Sequence, residues 1–115
     1  MSAAPPVLSD VKTNPLFVSV GLPVPLALAF AGPHPVRKLG LEDLTDTRLR
    51  AEGADVIGCP LMSGAVDALS VIAALEAAGF AGTLLVVAPT LPDPFMVERE
   101  LCAAAPGLTL RLVSL

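Results

Sequence analysis

Tryptophan and tyrosine are absent from this chain, histidine occurs once, and there are only two cysteines and seven basic residues. Each shortage excludes a class of function. Without Trp or Tyr there is no obvious stacking surface for single-stranded nucleic acid. The four Phe residues (Phe17, Phe30, Phe80 and Phe95) are scattered through apolar segments and read as core. Lys and Arg come close together only at Arg37-Lys38 and Arg48/Arg50, and the net charge is −4, so phosphate neutralisation is not supplied and no nucleic-acid partner is expected. Cys59 and Cys102 lie far apart without metal-ligand spacing and read as free thiols of a cytoplasmic chain. His34 stands alone between two prolines. The chain has no glycine-rich dinucleotide fingerprint, Walker loop, nucleophile elbow or His/Cys cluster, so no metal and no cofactor is expected.

An unbroken apolar helix is missing too. The uncharged stretch from Thr13 to Val36 is punctuated by Pro15, Pro23, Pro25, Pro33 and Pro35, whereas a membrane span wants about 20 apolar residues in continuous helix. Ala29-Phe30-Ala31 resembles a signal-peptidase site, but Asp10, the single Lys12 and the prolines argue against a leader, and Leu26 to Ala31 reads as a buried strand. No membrane association is expected.

What is present is apolar surface. Of the 115 residues 54% are hydrophobic and 16% charged, with a mean hydropathy of +0.75. Typical domains hold about 45–50% apolar and about 25% charged residues. A single domain of this composition either covers its sheet on both faces or leaves apolar surface for a partner, and the second is expected here.

The chain is organised around a β-α-β unit from Ala54 to Pro89. Val56 to Cys59 and Leu84 to Ala88 are short apolar runs closed by Pro60 and Pro89, as buried parallel strands are. Between them, Ala65 to Ala78 has no Gly or Pro, follows Ser63 as a helix cap and ends at Gly79. A crossover of this kind is right-handed and lays its helix on one face of a parallel sheet. Residues 1–14 read as a flexible tail. Leu16 to Val20 reads as an edge strand with one face exposed. A charged amphipathic helix is predicted around Thr45 to Glu52, with Asp46 and Arg50 four residues apart. Asp93 and Pro94 announce a helix to about Ala105, and Leu108 to Leu115 alternates as a closing edge strand with Arg111 outward. The expected fold is therefore α/β: an open, mostly parallel, doubly wound sheet of about five strands with about three helices, flavodoxin-like and forming one domain over residues 15–115.

The run Asp55-Val-Ile-Gly-Cys59-Pro-Leu-Met-Ser-Gly64-Ala-Val-Asp67-Ala-Leu69, with Gly79-Phe80 and Leu84 to Ala88 following, resembles the middle of a response-regulator receiver domain. In that family an apolar strand ends in the phospho-accepting aspartate and the next strand ends in Ser or Thr. Here Cys59 stands at the aspartate position and Ala88 at the hydroxyl position. Val113-Ser114 offers no lysine, and Ala31-Gly32 offers no acidic pair for magnesium. The resemblance therefore implies a receiver-like module without phosphorylation chemistry. The same Ala54 to Ser63 stretch is also similar to the middle strand and loop of cobalamin-binding modules. Gly32 and Arg37 replace the Asp and Gly of their axial-histidine motif around His34, so no cobalamin is expected.

Two functional readings follow. In the first, the chain is a non-catalytic regulatory or signalling module that works by protein–protein contact, as a homodimer or with a protein partner. The chain ends on its last strand, without the helix that would cover it, so contact surfaces are expected on the outer side of the Ala65–Ala78 helix and at Phe95, Leu101, Leu110 and Leu112. In the second, a small molecule is bound or transformed in the strand-end crevice, lined by His34, Cys59, Ser63, Thr90 and Asp93, where open α/β sheets place ligands. Titratable groups are sparse there, and Asp67 lacks an identifiable catalytic partner.

Overall fold

The computed structural model describes residues 16–63 and 66–115; the tail expected over residues 1–14 lies outside them. Five parallel strands form one sheet in the order β2-β1-β3-β6-β7. They are β1 (Leu16–Ser19), β2 (Val36–Lys38), β3 (Ala54–Pro60), β6 (Thr83–Ala88) and β7 (Thr109–Ser114). Four α-helices connect them: α1 (Val24–Ala31), α2 (Asp46–Glu52), α3 (Ala68–Ala78) and α4 (Pro94–Ala104). A small antiparallel ribbon, β4 (Met62–Ser63) with β5 (Val66–Asp67), stands between β3 and α3. The strand order is that of a flavodoxin-like sheet, and its topological switch point lies between β1 and β3.

Several boundaries follow from local chemistry. The Thr45 hydroxyl accepts from the Arg48 N–H at 3.2 Å and starts α2, and Asp93 does the same for Met96 at 3.1 Å at the head of α4. Helices α2 and α3 both end on a left-handed glycine, Gly53 and Gly79. Arg50 reaches Asp46 at 2.6 Å, as their spacing predicts. Glu52 takes hydrogen bonds from Arg37 of β2 and from Arg48, which hold its carboxyl below the usual range, Arg37 contributing most.

Four expectations are corrected. Leu26 to Ala31 is helix α1 and not a strand. The run is Leu, Ala and Phe with no β-branched residue, and Pro23 and Pro25 fall at its first turn, where proline is tolerated. The second strand is the short Val36–Lys38 instead, so the described residues hold four α-helices where about three are expected from sequence. Consequently β1 is interior, between β2 and β3, and not an edge. Finally, α3 begins at Ala68 with Asp67 as its cap, accepting from the Ser70 N–H at 2.8 Å; Ser63 belongs to the ribbon instead.

The two sheet faces are covered unequally. On one, Val18, Val20, Ile57, Cys59, Leu84, Val86 and Leu110 pack with residues of α2, α3 and α4 in the main core. On the other, Phe17 and Val87 pack with Leu22 and with Ala27 and Ala31 of the eight-residue α1.

Candidate functional site

Ligands of open α/β sheets sit beyond the carboxyl ends of the strands at the switch point. In this chain the position is filled from within. Gly21, at φ 84°, follows β1, and the Val66 side chain lies 3.0–3.2 Å from where a Cβ on Gly21 would stand. The ribbon that carries Val66 is tied down at both ends, by the Leu61 N–H to the Val87 carbonyl at 2.8 Å and the Ala68 N–H to the Leu61 carbonyl at 2.9 Å.

The residues expected to line this crevice do not converge. Cys59 is fully buried in the main core. Burial, with the negative charge of Asp67 adding to it, pushes its thiol up to about 12, so it is protonated and inert at neutral pH. Ser63 is exposed on β4. Thr90 donates to the Leu115 carbonyl at 3.0 Å, and Asp93 caps α4. His34 lies at the opposite end of the sheet: it follows α1, which returns the chain to the amino ends, and it borders Phe17, Phe30, Val56 and Thr83. Asp67 caps α3 and also accepts from the Ser70 hydroxyl at 3.2 Å. Among the described residues, no group of three or more His, Cys, Asp or Glu is placed to hold a metal ion.

What the structure does present is an open sheet face. Register places the side chains of Val36, Phe17, Val56, Thr83 and Thr109 in one row across it, and those of Lys38, Ser19, Gly58, Leu85 and Arg111 in the next. Gly58 leaves a hole that the Phe17 ring and Leu22 fill; a Cβ there would meet Phe17 Cζ at 2.5 Å. Helix α1 packs with Phe17 and Val87, in a cluster that holds no residue of β7. Leu85 and Val113 are half-buried and Arg111 exposed, and a groove of about 260 Å³ runs between Phe30, His34, Val56, Thr83 and Leu85. Helix α1 itself turns apolar residues outward, Val24 at 57% and Leu28 at 56% exposure.

Of the contact residues expected from sequence, Phe95 is exposed at 82%, whereas Leu101 and Leu110 are interior and Leu112 packs against the main core from β7. The alternation Leu108-Leu110-Leu112 reads correctly as one face, but that face is the one α4 covers. Thr83 and Leu85 escaped sequence reading because Leu84 to Ala88 is apolar throughout and carries no sign of which side stays open.

Fold and site together define a five-stranded parallel α/β domain of flavodoxin-like layout, with its strand-end crevice plugged and one sheet face half covered. Compared with known proteins, the chain matches no family model, no curated protein and no solved structure. Among the described residues no helix is long and apolar enough to cross a membrane.

Proposed function

We propose that this chain is a non-catalytic, receiver-like interaction module of the cytoplasm, without phosphorylation chemistry, which uses its open sheet face to hold a second copy of itself. One observation carries the reading: among the described residues three helices cover one face of the sheet and a single two-turn helix covers the other, leaving Val56, Leu85 and Val113 only half-buried. Burying such surface is worth about 25 cal/mol per Å² before association costs, and a second copy presents the same patch with two-fold self-complementarity. The inert Cys59 and the Val66 plug weigh against chemistry at the strand ends.

Light scattering coupled to size exclusion tests this. A dimer is expected at micromolar concentration. Val113→Glu, on the outer half of the edge strand, should weaken that dimer about tenfold or more with the circular dichroism unchanged, since a charge placed in an apolar contact costs more than the ~1.4 kcal/mol of one decade. A monomer at all concentrations, or a dimer indifferent to Val113→Glu, contradicts it.

A further inference from the structure

A second apolar surface lies on the other side of the sheet and at the other end of the helices. The amino-terminal halves of α3 and α4 part beneath the β4–β5 ribbon and leave a cleft of about 420 Å³, lined by Leu61, Met62, Ala68, Leu69, Val97 and Leu101. Its rim carries two carboxylates, Asp67 and Glu100, and no Lys or Arg. The apolar surface does not stop at the cleft. Met62 is 81% exposed, Leu69 60% and Met96, one turn before Glu100 on α4, 50%. Methionines at an open apolar surface adapt to differently shaped side chains, and a patch that extends past its cavity is larger than a small molecule covers.

The charges select the occupant. Helix N-termini ordinarily attract anions. Here, however, both helices are already capped by Asp67 and Asp93, and the Asp67 and Glu100 carboxylates would repel an anion. Glu100 makes no ion pair among the described residues, so its charge is available to an incoming cation. We infer that this cleft docks a cationic amphipathic segment of a protein partner, with apolar side chains seated on Leu69, Val97 and Leu101 and flanking Lys or Arg side chains against Glu100 and Asp67. The inference rests on the chain being an interaction module, but it uses a different face from the self-association surface and stands or falls separately.

The test is a titration of the full chain, labelled with ¹⁵N, with a short synthetic Leu/Lys peptide that is amphipathic as a helix, and with its Leu/Glu counterpart. Expected are shifts centred on Met62, Ala68, Leu69, Val97 and Glu100 with the Lys peptide and none with the Glu peptide. Glu100→Lys should weaken binding about tenfold and Leu69→Ser several-fold, while Glu42→Lys, an equal charge change at an exposed site outside the cleft lining, should leave it within about twofold. No binding, shifts gathered instead on Leu85 and Val113, equal binding of the Glu peptide, or an equal loss with Glu42→Lys would each overturn it. A chain that dimerises but shows no shifts here loses this inference alone; one that binds the peptide here but stays monomeric loses only the dimer.

Discussion

Cys59 and His34 show how differently two residues of similar promise can fall. Cys59 is enclosed on the covered face, where desolvation holds its thiol protonated, and Cys102 is exposed with its thiol donating weakly to the Leu110 carbonyl at 3.8 Å. A thiol-reactive dye at neutral pH should therefore label one cysteine rapidly, Cys102, and Cys59 only after denaturant unfolds the chain. Rapid labelling of both in the native protein would contradict the burial. The sign with pH follows: Cys59 is raised above its ordinary 9.0, so its contribution to stability is full below pH 9 and is lost as pH rises toward 12. The displacement of His34 has a geometric cause. Reading Leu26 to Ala31 as a strand carries the chain forward to the carboxyl edge; as helix α1 it carries the chain back, and His34 arrives at the amino edge beside Phe17 and Thr83. The Asp93 cap and the Asp46–Arg50 pair were legible because their partners lie within four residues.

Strand β7 is an edge, and edges invite unwanted pairing. Its outer side is partly sealed by side chains of α4. The Glu98 carboxylate accepts from the Leu112 N–H at 2.8 Å, and Cys102 lies against the Leu110 carbonyl. The opposite edge, β2, is three residues long and carries the exposed charges of Arg37 and Lys38. Glu98→Ala leaves the Leu112 N–H without its partner and should cost about 1–2 kcal/mol in urea denaturation, with Glu98→Gln recovering part of the loss. A loss below about 0.5 kcal/mol would mean that water replaces the carboxylate without penalty. A sealed β7 edge disfavours strand addition, so the proposed self-association would use the open face. None of this was readable from sequence, since it joins α4 to a strand fourteen residues further on. The start of α3 misled for a related reason. Ser63 and Asp67 are both good caps, and only the β4–β5 ribbon, paired through Met62 and Asp67, decides between them.

Hydrophobic periodicity and the prolines after Cys59 and Ala88 carried the fold class, the β3–α3–β6 unit, α4 and β7. Which strand is central, and which face is bare, depends on pairing across the whole sheet and has no local signature. The excess of apolar residues shows as exposed Val24, Leu28, Met62, Leu69, Phe95, Met96 and Leu115, and the proposed dimer contact is assigned to the half-buried Leu85 and Val113 beside α1. The most direct test of that assignment is a nuclear Overhauser experiment filtered for contacts between differently labelled copies of the chain. Intermolecular contacts are expected from the methyls of Leu85, Val113 and Thr83. Contacts confined to the α3–α4 side, or none in a sample that scatters as a dimer, would contradict it.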